Sequence, residues 1–235
     1  MTMGATERMV LVTGAGRGVG LATVQALLSM EGVRVIAVSR VLAALEPVAA
    51  LEPRLELCPV DLVAPDSAER VAAFVGQRRL HALVHNAGLL HKADMGHHRR
   101  ADLERVFLTN AIVPLELSQA LAPMLSGEPA GHIVHIGSMG GFQDASKFPG
   151  LVAYSSSKAA LACMAQCMAE EFKDRGIRSN CLALGAVDTE MLRAAFPGYT
   201  AVTKADAMGS FVAEFSLNGH NLFNGKVLPV ATTTP

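Results

Sequence analysis

The chain contains no tryptophan and only two tyrosines, so it has little on which nucleobases could stack. A formal net charge of −1 gives no field that would gather a polyanion or an anionic lipid surface. Neither nucleic acid nor a membrane is therefore expected as a partner. Cysteine is scarce, and Cys58, Cys163, Cys167 and Cys181 form no CxxC pair, which argues against a disulfide framework and a zinc ribbon. Cys163 and Cys167 fall one turn apart on a stretch that reads as helix, where they are expected as core thiols. Charge is also low, 17% against 51% hydrophobic residues, enough apolar side chain to sustain an ordered core. Yet no apolar run reaches the roughly 20 residues of a spanning helix. Met1 to Arg8 is short and polar, with no basic start leading into an apolar core, so no secretion signal is read. A cytoplasmic protein is expected.

What is present is an alternation of two kinds of segment. Short runs rich in β-branched residues at 9–13, 33–39, 55–60, 80–85, 132–137, 177–184 and 226–230 are apolar almost throughout. Strands buried on both faces of a parallel sheet have that character. Helical patterns at 19–30, 42–51, 66–77, 101–125, 153–175 and 204–217 lie between them. The last is expected to start on a capping box of Thr203 and Asp206. The pattern predicts an α/β fold, a single domain over 1–235 with a doubly wound parallel sheet of about seven strands flanked by helices. A (β/α)₈ barrel would need an eighth strand.

The first strand runs into Thr13, Gly14, Ala15, Gly16, Arg17, Gly18, Val19 and Gly20. A glycine-rich turn between strand and helix lets the backbone approach a pyrophosphate, which then meets the free N–H groups of the helix start. A tight turn with no ligand is the plainer alternative. The second strand ends in Ser39 and Arg40, where an NAD site usually places a carboxylate for the ribose 2′-hydroxyl. An arginine and a hydroxyl suit a 2′-phosphate instead, and Arg17 can add a second positive charge. NADP(H) is expected over NAD(H).

Tyr154 and Lys158 stand one turn apart on a helix. A tyrosine is a poor base near neutrality. A lysine charge about 5 Å away, at an effective dielectric of about 20, is worth roughly 3 kcal/mol, enough to bring the phenol toward physiological pH. Ser138 follows the fifth strand, at the carboxyl edge where such sheets bind ligands.

In chain order the motifs are Thr13-Gly14-x3-Gly18-x-Gly20, Asp61-Leu62, Asn86-Ala87-Gly88, Asn110, Ser138, Tyr154-x3-Lys158 and Val187-Asp188-Thr189. Together they resemble the short-chain dehydrogenase/reductase family over nearly the whole chain, with its Rossmann-type sheet. The resemblance implies that Tyr154 exchanges a proton with a carbonyl or alcohol oxygen and that Ser138 hydrogen-bonds the same oxygen. It implies that Lys158 binds the nicotinamide ribose and depresses the tyrosine pKa, while Asn110 holds a water of the proton relay. Asp61 and Leu62 would lie at the adenine, Asn86, Ala87 and Gly88 along the cofactor groove, and Val187 and Thr189 at the carboxamide. It also implies a homotetramer or homodimer through helices 101–125 and 153–175.

Two departures stand out. Leu184 replaces the proline usual before this glycine, and Tyr154 follows Ser138 by sixteen positions, a few more than usual. Segments 139–153 and 189–203 are read as substrate loops, the second too short for more than a small lid.

Other chemistries fit less well. His91, Asp94, His97 and His98 sit in a polar stretch that reads as a solvated loop, so no metal is expected. His81, His85, His132 and His135 border strands and read as structural. Ser155 to Ser157 lack a nucleophile elbow. The expected function is an NADP(H)-dependent oxidoreductase interconverting a carbonyl and a secondary alcohol on a small-molecule substrate. The alternative is a non-catalytic NADP(H)-binding sensor or scaffold on the same fold.

Overall fold

A computed structural model describes residues 7–232; the first six residues of the polar N-terminal stretch, where no leader was read, lie outside it. The elements alternate along the chain as β1 (Arg8–Thr13), α1 (Gly18–Leu28), β2 (Val33–Ser39), α2 (Glu46–Ala49), β3 (Leu55–Pro59) and α3 (Ser67–Val75). The second half adds β4 (Ala82–His85), α4 (Arg100–Phe107), α5 (Val113–Leu125), β5 (Gly131–Ile136), α6 (Val152–Glu171) and β6 (Ile177–Leu184). It closes with β7 (Val187–Asp188), α7 (Glu190–Ala195), β8 (Thr203–Lys204), α8 (Ala205–Asn218) and β9 (Val227–Val230).

Seven strands form one parallel sheet in the order β3-β2-β1-β4-β5-β6-β9. Alternate residues feed two apolar layers. Val10 and Val12 of β1 meet α1 and α8, whereas Met9 and Leu11 pack toward α3 and α5. The order reverses between β1 and β4, so the carboxyl ends of these strands open the crevice in which an open α/β sheet takes its ligand. No helix among the described residues is long and apolar enough to cross a membrane.

Four local expectations are corrected. The stretch 42–51 keeps only the short α2 as α-helix. The stretch 101–125 is helical but not uniform: Leu108–Ile112 winds as a π turn between α4 and α5, an insertion that often marks a functional site. Thr203 does not cap α8, because it pairs with Val187 as part of β8, and Lys204 takes the cap position without a side-chain bond. Cys163 and Cys167 are exposed. The buried stripe of α6 runs through Leu161, Ala165, Met168 and Ala169, which turns the two thiols outward.

Candidate active site

The β1–α1 turn is shaped for backbone contact. Gly14 has φ +64° and a Cβ there would lie 2.7 Å from Ala87 Cα; one on Gly16 would lie 2.1 Å from Val41 O. Any side chain at either position would force backbone apart. Thr13 Oγ1 accepts hydrogen bonds from the N–H groups of Asn86 and Ala87 at 3.1 Å. Asn86 Nδ2 in turn donates to the carbonyls of Thr13 and Gly14 at 3.0 and 3.1 Å. The ends of β1 and β4 are thereby tied into one floor. Helix α1 begins with no side-chain cap and no acidic residue in its first turn, leaving its N–H groups and positive dipole end for an anion. This cradle fits a dinucleotide pyrophosphate.

Ser39 and Arg40 close the same end. Arg40 Nε stands 3.9 Å from Asp61 Oδ1, and Arg17 Nη1 stands 3.1 Å from Glu190 Oε2. Both pairs are solvent-exposed, and such pairs are weak, so the two guanidinium groups can exchange these partners for a phosphate.

The other end gathers the polar residues of β5 and α6. Ser138 Oγ accepts from Gly140 N–H at 3.1 Å, which fixes the serine at the start of a short turn. Lys158 is buried, and its ammonium donates to Ile136 O at 2.7 Å; burial draws its pKa down to about 8. Burial pushes the Tyr154 phenol up, with the Ser138 hydroxyl opposing in part. The expected depression of Tyr154 by Lys158 is thus opposed by burial of the phenol. Desolvation sets the direction, and the Lys158 ammonium is engaged by the carbonyl of Ile136. Asn110, wholly buried on the π turn, accepts from Leu89 N at 2.8 Å and donates to Leu89 O and Ser157 Oγ at 2.9 Å. Its amide clamps the segment after β4 to α6, a bridge the wider π turn makes possible.

These groups face one cleft of about 370 Å³. Gly14, Arg17, Gly18, Val19, Ser39, Arg40, Asp61, Leu62, Asn86, Ala87, Gly88, Ser138, Tyr154, Lys158, Val187 and Thr189 line it. Gly16, Gly20 and Asn110 stand behind the lining, holding the turn and the β4 segment in place. Thr189 caps α7, its Oγ1 accepting from Leu192 N at 3.3 Å, and Val187 sits buried beside it. Leu184 lines the cleft where the family usually has proline.

Sequence reasoning passed over Leu89, Leu90, Arg105 and Thr109, which also line the cleft. The first two follow directly on Asn86-Ala87-Gly88, and Thr109 precedes Asn110, so adjacency to those motifs was the available signal. The strand histidines lie outside the lining. His85 meets Ser118 Oγ at 2.8 Å, His132 meets Ser216 O at 3.0 Å, and His135 meets Ser179 Oγ at 3.2 Å.

Comparison with known proteins gives a consistent answer. Residues 8–200 match the family described as short chain dehydrogenase. The chain is 34% identical over 194 residues to carbonyl reductase (NADPH) 2 of Sus scrofa, covering 82% of this chain and 77% of that protein. It is likewise 34% identical over 196 residues to protein FixR of Bradyrhizobium diazoefficiens, covering 79% and 69%. Among solved structures, an NADPH-bound carbonyl reductase from chicken fatty liver superposes with TM-score 0.86 at 29% identity, covering 97% of this chain and 94% of that one. The RhlG/NADP complex of Pseudomonas aeruginosa superposes with TM-score 0.83 at 26% identity, covering 96% and 95%.

Proposed function

The chain belongs to the short-chain dehydrogenase/reductase family, and from that premise we propose that it is an NADP(H)-dependent oxidoreductase that interconverts a carbonyl and a secondary alcohol. The observation that carries the reading is the meeting of Ser138, Tyr154 and Lys158 in the same cleft as the glycine turn. In this reading Tyr154 passes its phenolic proton to the carbonyl oxygen during reduction and recovers one during oxidation. Ser138 donates a hydrogen bond to that oxygen and holds it in line with the phenol. Lys158, charged near neutrality, favours the phenolate by electrostatics once its ammonium turns toward the cleft. Asn110 keeps the segment after β4 against α6, so that Gly88 and Leu89 border the same space. When bound, a nicotinamide dinucleotide would supply or accept the hydride there, and Val187 and Thr189 would hold its carboxamide end and the glycine turn its pyrophosphate.

The preference for NADP(H) over NAD(H) rests on Ser39 and Arg40 at the end of β2, where no carboxylate ends the strand, and on Arg17 in the glycine turn. It is supported by the NADPH and NADP named for the chicken and Pseudomonas structures. A 4-hydroxyisoleucine dehydrogenase with NADH has the same fold at 20% identity, which bears on architecture and not on cofactor choice. One domain over 1–235, substrate loops at 139–153 and 189–203, a cytoplasmic setting and a homotetramer or homodimer complete the proposal. The test is consumption of NADPH across a panel of carbonyl compounds. Tyr154→Phe is expected to lower turnover at least about a hundredfold while NADPH still binds. Tight NADPH binding without turnover on any compound would favour the sensor.

A further inference from the structure

Three segments form the wall of the cleft beyond Ser138 and Tyr154, and they contribute side chains of one kind. Leu90 follows β4; Phe148 and Leu151 come from the long connection before α6; Met191 and Phe196 come from α7 and its end. Every residue these stretches place on the cleft, from Leu89 to Leu90, 139 to 151 and 191 to 196, is apolar or glycine, while Glu190 at the start of α7 pairs with Arg17 toward the glycine turn.

Lys92, which packs against Phe196 of this wall, is already engaged. Lys92, two residues past Leu90, donates to Ala195 O at 2.9 Å and holds its ammonium 4.6 Å from the centre of the Phe196 ring. Its stem runs along Gly150, where φ is +81° and a Cβ would press on Lys92 Cγ at 3.1 Å. Ala93 N–H donates to Gly150 O at 3.0 Å, and Phe148 meets Phe196 edge-on at 6.2 Å. Lys92 therefore works as a clasp between the two substrate loops. An ammonium occupied by a carbonyl and an aromatic face is poorly placed to receive a carboxylate.

From this we infer that the site takes an uncharged carbonyl compound with an apolar body, and that it rejects the corresponding anion. The inference rests on the oxidoreductase reading for the place of the reacting oxygen at Ser138 and Tyr154. Its physical basis is the cost of bringing a carboxylate against a wall that gives it neither a hydrogen bond nor a free cation. Arg105, exposed on α4, lines the cleft from outside these three segments.

The experiment compares an aryl keto ester with its free keto acid, two ligands with the same ketone and different charge. Binding to the chain saturated with NADP⁺ is measured by titration calorimetry. The ester is expected to bind at least about tenfold more tightly than the acid. Leu151→Lys, which puts a free cation on the wall, is expected to narrow or reverse that ratio. Equal affinities, tighter binding of the acid, or no binding of the ester would overturn the inference. Turnover with NADPH is measured in parallel. Ester-selective binding without turnover would sustain the inference about the wall and count against the reductase reading alone.

Discussion

Lys158 illustrates how one residue carries opposing demands. Its ammonium is buried under the sheet edge, and its pKa falls from the usual 10.5 to about 8. Below pH 8 the lysine is charged in both folded and unfolded chains, and the folded chain bears the cost of that buried charge. The cost is relieved as pH rises from 8 toward 10.5, because the folded chain then releases its proton first. A shift of this size corresponds to about 3 kcal/mol, and replacing the lysine by methionine gives back about 1 kcal/mol by leaving Ile136 O without its donor. Lys158→Met is accordingly expected to raise stability near pH 7 by about 2 kcal/mol while abolishing activity. Denaturant unfolding of both proteins checks this, and a variant less stable than the parent would contradict it. The identity of this residue was legible because its motif is local: Tyr154 and Lys158 are one turn apart. Its bond to a strand carbonyl was not, since that depends on where α6 meets β5. Lys92 was illegible for the same reason, because nothing near it in the chain announces Ala195 or Phe196.

At the scale of elements, the strands were the most legible. They are continuous apolar runs, and a sheet covered on both faces demands that pattern in sequence. Helical detail was lost wherever tertiary contacts override local preference. Asn110 reaches across to Leu89 and Ser157, and the helix accommodates it with a π turn. Thr203 is taken up by strand pairing and so cannot cap α8. Strands β4 and β5 also carry histidines into the core, and burial pulls His85 and His132 to about 3. The folded chain keeps both neutral while the unfolded chain protonates them near 6.5. Stability is therefore full above pH 6.5 and declines as pH falls toward 3. Between pH 6.5 and 5 each histidine is expected to cost about 2 kcal/mol. His132→Gln should flatten this decline in a denaturant series run from pH 7 to 5, and an unchanged slope would contradict the assignment.

At the scale of the whole molecule, the two ends of the cleft are joined by the same short helix. Helix α7 meets the glycine turn through Glu190 and Arg17, and the clasp through Ala195 and Lys92. Cofactor end and substrate end thus share a roof, an arrangement visible only once β7 and β8 pair beneath it. The π turn and the exposed faces of α5 and α6 present Ile112, Leu115, Cys163 and Cys167, a surface consistent with the proposed association of copies. Light scattering should then give a mass of two or four chains, with the two outward thiols slow to react; a monomer mass independent of concentration would contradict it. The cleft was legible as an ordered set of motifs and two of the wall's segments fall in the loops read at 139–153 and 189–203, whereas their meeting with Leu90 was not legible, because it joins three separated parts of the chain.

If this cleft reduces a carbonyl with a proton from Tyr154, hydride and proton must both reach the product from within it. The most direct test supplies NADPH deuterated at one face of the nicotinamide C4, together with a neutral aryl ketone. The alcohol product is then read by mass spectrometry. Deuterium is expected on the carbinol carbon from one face of the ring only, at a rate lower by at least about a hundredfold in the Tyr154→Phe protein. Tight binding of the cofactor with no labelled alcohol from any neutral ketone would contradict it.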